Sequence, residues 1–182
     1  IQEALNDVKL LNNQTALNQI SQHIYSNAIA KVNAGNIQEA LNDVKLLNNQ
    51  TALNEINNHV YNNAVAKVNT GNIQEALNDV KLLNNQTALN EINNHVYNNA
   101  ITKADAGNIQ GALNDVKLLN NQTALNQISQ HIYSNAIAKV NAGNIQEALN
   151  DIKLMNDQTA LNQIFQYVYN NAITKADAGN IQ

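Results

Sequence analysis

The sequence predicts an all-α fold, a right-handed α-solenoid of stacked helix-turn-helix repeats with about ten helices. Three observations carry this expectation. The motif IQEALNDVKLLNNQTALN begins at Ile1 and returns at Ile37 and Ile73, then as IQGALNDVKLLNNQ at Ile109 and IQEALNDIKLMNDQ at Ile145, a period of 36 residues without insertion or deletion. Each period holds two apolar stripes at helical spacing. Short polar links divide the stripes, Gly71-Asn72 and Asn84-Asn85-Gln86 in the second and third copies. A fixed period of this length marks a repeat array in which neighbouring hairpins bury each other's apolar faces. One array is expected over residues 1–182, as repeats 1–36, 37–72, 73–108, 109–144 and 145–180, with a further copy opening at 181–182. The cut through that sixth copy reads as a window on a longer protein.

The shorter helix of a repeat is expected from Ile73 to about Leu83. Ile73, Ala76, Leu77, Val80 and Leu83 then share one face. Asn72 stands where an N-cap belongs, and Glu75 three residues on would complete a capping box. The longer helix is expected from about Ala52 to Asn69, capped by Thr51. Leu53, Ile56, Val60, Ala64 and Val68 form its apolar face, widened by Tyr61 and Val65. Gly71 falls where a left-handed C-terminal residue is wanted. An unbroken rod of the same period is excluded. At about 100° per residue the two stripes of one repeat would point half a turn apart, leaving no single seam to bury. Gly111 replaces the capping-box Glu of the other repeats, so Gly111→Glu is expected to stabilise the array modestly.

The stretch YNNAVAKVNTGNIQEALNDVKLL, residues 61–83, resembles the tetratricopeptide repeat. Ala64 falls at that family's small position, Gly71-Asn72 at its turn, Ile73 at its aliphatic position and Ala76 at its packing alanine. The period of 36 rather than 34, a missing aromatic early in the first helix and the lack of a closing Pro are departures. The resemblance implies a concave face of long helices that holds extended peptides. Mapped here, its groove would comprise Asn58, Tyr61, Val65 and Asn69, with Asn94, Tyr97, Ile101, Asp105, Gln130 and Tyr133 in the following repeats. The carboxylate clamp of Lys and Arg used by some members has no counterpart, since those positions carry neither residue.

Chemistry is poorly provided for. The chain has no Cys, Pro, Trp or Arg, and its ten basic residues are all Lys. A net charge of −4 with 13% charged residues argues against a nucleic-acid surface. No apolar run reaches membrane-spanning length. A histidine recurs at His23, His59, His95 and His131 and becomes Tyr167 in the last repeat. Copies spaced by one helix layer, about 10 Å, cannot share an ion whose bonds are about 2 Å long, so these read as packing or surface histidines. Ser21 near His23 and Ser129 near His131 lie two residues apart, which on a helix do not face each other. The sequons at Asn13, Asn49, Asn85 and Asn121 read more simply as helix punctuation than as glycan acceptors. The tyrosines Tyr25, Tyr61, Tyr97, Tyr133 and Tyr169 read as partial core.

No enzyme, cofactor or metal is therefore expected. The leading expectation is a structural spacer within a larger repetitive protein, at a microbial surface or secreted. The alternative is a peptide- or protein-binding scaffold that uses the concave face of the longer helices. Partners would be a protein or peptide, or a second chain met end to end, with no nucleic acid and no membrane insertion. The fifth repeat departs at several positions together, through Met155, Asp157, Phe165 and Tyr167. Phe165 and Tyr167 are expected to be partly buried at an end contact that the equivalent Ser21 and His23 do not make.

Overall fold

In a computed structural model that describes residues 1–179, the chain folds into ten α-helices and, among the described residues, no strand. They are α1 (Gln2–Leu10), α2 (Gln14–Asn33), α3 (Ile37–Lys45), α4 (Gln50–Asn69), α5 (Ile73–Leu82), α6 (Gln86–Asp105), α7 (Ile109–Leu118), α8 (Gln122–Asn141), α9 (Ile145–Leu154) and α10 (Gln158–Asp177). Short and long helices alternate as the repeat demands, which is the helical-hairpin array expected from the period. The expected opening of a sixth copy at Ile181 lies outside the described residues.

The links are built by two left-handed residues per repeat. The long helices α2, α4, α6 and α8 end in a Schellman motif: Gly71 has φ 86°, its N–H donates to Val68 O at 3.0 Å, and Asn72 N–H donates to Lys67 O at 2.9 Å. Each short helix ends on an asparagine with positive φ, at 47° for Asn12, 50° for Asn48, Asn84 and Asn120, and 52° for Asn156. Asparagine is, after glycine, the residue that tolerates this region best.

Two capping expectations need correction. The long helices are capped by asparagine, not threonine, and start two residues earlier than the apolar pattern suggests. Asn49 Oδ1 accepts from Thr51 N–H at 3.0 Å and Ala52 N–H at 3.1 Å, so Thr51 already lies inside the first turn. In the last repeat Asp157 does the same, accepting from Thr159 and Ala160 N–H at 2.8 and 3.1 Å. The capping box of the short helices does not form. Asn36, Asn72 and Asn144 make no side-chain cap bond, and Glu75 turns instead to Lys67 Nζ at 2.6 Å. Only Asn108 caps its helix, accepting from Gly111 N–H at 3.0 Å. The cause is steric. A Cβ at position 111 would stand 2.6 Å from the Asn108 side-chain amide, so a Glu at the same place excludes that rotamer.

The chain divides into two compact units, residues 1–93 and 94–182. In the first, α2 packs on α3 and α4, and α4 on α5. Its core runs from the end of one long helix (Ala28, Val32) through the next short helix (Ile37, Ala40, Leu41, Val44) to the start of the following long one (Ile56, Val60). The second unit repeats this arrangement twice. Ala100 to Ile132 form one cluster over α6, α7 and α8, and Ala136 to Ile164 form another over α8, α9 and α10. Alanine at positions 28, 64, 100 and 136, fully buried each time, lets the helices approach closely.

Candidate functional site

The positions with functional potential lie on the long helices and at the joints between consecutive repeats. Of the proposed groove residues, Asn58, Asn69, Asn94, Asp105 and Gln130 are exposed, while Tyr61, Val65, Tyr97, Ile101 and Tyr133 are half-buried. Tyr97 and Ile101 rest against the α6–α8 core, and Tyr133 against the α8–α10 core. Their side chains are therefore part of the packing as well as of the surface. Partial burial raises the pKa of the Tyr61 hydroxyl above the ordinary range, and the neighbouring Glu91 carboxylate raises it further. Tyr25 is placed in the same way beside Glu55.

Sequence reasoning missed two sets of polar contacts that tie each repeat to the next. The first is a lysine near the end of each long helix. Lys31 Nζ bonds Glu39 at 2.6 Å and Asp43 at 2.5 Å. Lys67 does so with Glu75 and Asp79, both at 2.6 Å, and Lys139 with Glu147 and Asp151, both at 2.6 Å. Where Gly111 removes the glutamate, Lys103 keeps Asp115 alone at 2.5 Å. The aspartates at 43, 79, 115 and 151 are the only buried charged residues among those described. A buried carboxylate needs such a partner.

The second set joins neighbouring long helices. Asn33 Oδ1 accepts from His59 Nε2 at 2.8 Å and from Asn63 Nδ2 at 3.1 Å. Asp105 Oδ1 meets His131 Nε2 at 2.6 Å and accepts from Asn135 Nδ2 at 2.8 Å. Asn141 Oδ1 accepts from Tyr167 Oη at 2.8 Å and Asn171 Nδ2 at 3.2 Å. An oxygen acceptor opposite Nε2 requires that nitrogen to carry the proton. The His131 hydrogen bond, then that of Asn135, holds the Asp105 carboxyl below its ordinary pKa. Tyr167 thus reproduces the reach of His59 and His131 rather than making a contact of a new kind. Phe165, at 47% exposure, stands on the surface, and Ser21 in the first repeat turns its hydroxyl to Leu17 O at 2.8 Å.

The remaining candidates are quickly placed. His23 lies within 3.3 Å of Asn27 Nδ2, and His95 is exposed. The sequon residues Asn13, Asn49, Asn85 and Asn121 all use Oδ1 to cap a long helix. Surface hollows occur at the links, as between Lys9, Gln14 and Asn18 on one side and Asn48 and Gln50 on the other, and are shallow and open. Among the described residues no group of three His, Asp or Glu side chains could hold a metal, and no helix is long and apolar enough to cross a membrane. Compared with known protein families, curated proteins and solved structures, the chain matches none.

Proposed function

We propose that the chain is a structural spacer, one stretch of a larger repetitive protein whose length is set by the number of repeats. The observation that supports this is the sameness of the joint. The lysine–aspartate bond measures 2.5, 2.6, 2.5 and 2.6 Å at its four occurrences, and the turn glycines Gly35, Gly71, Gly107 and Gly143 hold φ at 85°, 86°, 84° and 89°. A spacer needs each increment to equal the last, and joints this alike supply equal increments. Inserting further copies of residues 73–108 after Asn108 should lengthen the particle by the same step each time, as read by small-angle scattering. A particle whose maximum dimension fails to grow with repeat number would overturn the reading.

The second reading treats the array as a divergent tetratricopeptide-like scaffold. What favours it is the register of Tyr97 and Tyr133 in the second compact unit, half-buried at the same place on successive long helices, since aromatic rings with one exposed edge serve well as anchors for a peptide. Replacing both by Ser should abolish peptide binding on this reading, measured by titration against an extended-peptide library. On the spacer reading the library yields no binder to begin with.

A further inference from the structure

Asn13, Asn49, Asn85 and Asn121 are the asparagines of this chain that have a Ser or Thr two residues on, and the residue between is Gln each time. That is the Asn-X-Thr pattern of an N-glycan acceptor. The same asparagines cap the long helices, and the two roles draw on different atoms. Capping uses the carbonyl oxygen. Asn13 Oδ1 accepts from Thr15 and Ala16 N–H at 3.0 and 3.2 Å, and Asn49 Oδ1 from Thr51 and Ala52 N–H at 3.0 and 3.1 Å. Asn85 Oδ1 accepts from Thr87 and Ala88 N–H at 3.0 and 3.2 Å, and Asn121 Oδ1 from Ala124 N–H at 3.1 Å. A glycan is carried by the amide nitrogen instead. Among the described residues, Nδ2 of all four asparagines donates to no protein group.

Both groups that define the pattern are accessible. The four asparagines are exposed, and so are Thr15, Thr51, Thr87 and Thr123. Threonines deeper in the long helices, Thr102 and Thr174, turn their hydroxyls back to the carbonyls of Asn98 and Asn170 at 3.1 and 3.0 Å. A threonine that stands second in its helix has no carbonyl of that helix four residues before it. Accordingly, the hydroxyls of Thr15, Thr51, Thr87 and Thr123 bond to no protein group among the described residues. The acceptor backbone is extended and lies just outside the helix, with φ −119° and ψ 107° at Asn13 and φ −118° and ψ 107° at Asn49. The fifth repeat separates the two roles. Asp157 keeps the cap, at 2.8 and 3.1 Å, and has no amide nitrogen to modify.

We propose that Asn13, Asn49, Asn85 and Asn121 are N-glycosylation sites, each carrying a glycan on Nδ2 while Oδ1 goes on capping its helix. The donor is a sugar activated by a diphosphate, on a polyprenyl lipid or on a nucleoside. In the step, the bond from the anomeric carbon to the diphosphate oxygen breaks and a bond from that carbon to Nδ2 forms. Nδ2 gives up one proton, and the diphosphate carrier is the leaving group. The product is a secondary amide that retains its carbonyl oxygen, so the cap survives the modification. Glycans then recur every 36 residues at the link from short helix to long. They stand apart from the lysine–aspartate contacts, which close the other link. The inference is independent of the spacer reading, since an array without glycans keeps the same increments.

The folded chain is offered to two purified transferases, each chosen because it modifies the isolated peptide of residues 45–55. One is a membrane oligosaccharyltransferase with a polyprenyl-diphosphate oligosaccharide. The other is a soluble N-glycosyltransferase with a nucleoside-diphosphate hexose. Intact mass and peptide mapping read the products. In at least one arm the chain should gain four sugar increments, at the four asparagines and at no other residue, and the arm that works identifies the carrier. Asn49→Asp should lose one increment and leave the melting curve in place, because a carboxylate caps equally well at Asp157. Thr51→Val should lose the same increment, and Asp157→Asn should add a fifth. A folded chain that takes no sugar in either arm overturns the proposal. So does sugar taken only after denaturation, or a glycosylated chain that melts well below the bare one, which would mean that glycan and cap compete.

Discussion

Asn72 and Asn108 occupy the same place in successive repeats, yet only Asn108 caps its helix, because only there does a glycine leave room for the side chain. Asn108→Ala should therefore cost about 1 kcal/mol, the usual worth of an N-cap, and Asn36→Ala only a few tenths, approximately, in denaturant melts. The same geometry revises the outcome expected for Gly111→Glu. The substitution gains about 0.5–1 kcal/mol of helix propensity and a second, exposed partner for Lys103, but it expels Asn108 from the cap at about 1 kcal/mol. The net effect should be close to zero, and a melting temperature raised by many degrees would mean that the cap is worth little here. Asp105 gives a pH test at the same scale. Its folded pKa is depressed, so its contribution is complete above the ordinary carboxylate range, about 3.9, and is lost as pH falls through the lower folded value. Asp105→Asn installs the residue that Asn33 and Asn141 already supply at this place. Stability profiles of the two chains should converge on acidification below about pH 4, and parallel profiles would show that the charge does not matter.

At the scale of the helix, the lysine at the end of each of α2, α4, α6 and α8 joins it to the short helix that follows. Burial works against the charge of Lys67, but its bonds to Asp79 and Glu75 outweigh burial and raise its pKa. Lys67→Met leaves the carboxylate of Asp79, 11% exposed at its side chain, without a partner and should destabilise by about 3 kcal/mol. Lys67→Met with Asp79→Leu should recover most of that, because it leaves no buried charge unpaired, and Glu75, which also loses its lysine, is exposed. A double variant as weak as the single one would show that packing, not pairing, is at stake. With a raised pKa, the stability from Lys67 is complete below the ordinary lysine value, about 10.4, and is lost as pH rises through the higher folded one. These links also mark how far the sequence was legible. Helix type, number and order follow from the 3.6-residue spacing of Ile56, Val60, Ala64 and Val68, and the Gly71 turn follows from the intolerance of other residues for its φ. Which of Asn48 and Asn49 ends one helix and which begins the next was not legible, since either residue suits either place. Nor were the lysine–aspartate and histidine–asparagine contacts, which join residues 12 and 26 apart on different helices and leave no local pattern. A repeat offers one late clue: where Tyr167 takes the place of histidine, it finds the same kind of acceptor, Asn141.

For the whole molecule, what matters is that each hairpin is held by its neighbours in the chain. The contacts within each compact unit run between adjacent or next-adjacent helices, such as α2 with α3 and α4 or α8 with α9 and α10, so stability is a sum of repeat and joint terms. A sum of this kind fails locally before it fails as a whole. α1 is the weakest place by this reasoning, because it is held by α2 alone and keeps only Leu5 buried. Leu5→Ala removes that one anchor, a change that in a closed core costs about 2–5 kcal/mol. Here the loss has a ceiling, since α1 can detach and leave α2 through α5 packed as before. Amide exchange should therefore accelerate throughout α1 and at the start of α2, while α4 and α5 keep their protection. Ile56→Ala, of similar chemistry but fully buried between α3 and α4, has no such escape and should raise exchange on both sides of its joint. Equal exchange changes from the two substitutions, spread evenly over residues 1–93, would mean that this compact unit unfolds as a single cooperative body and that its repeats are not energetically separable.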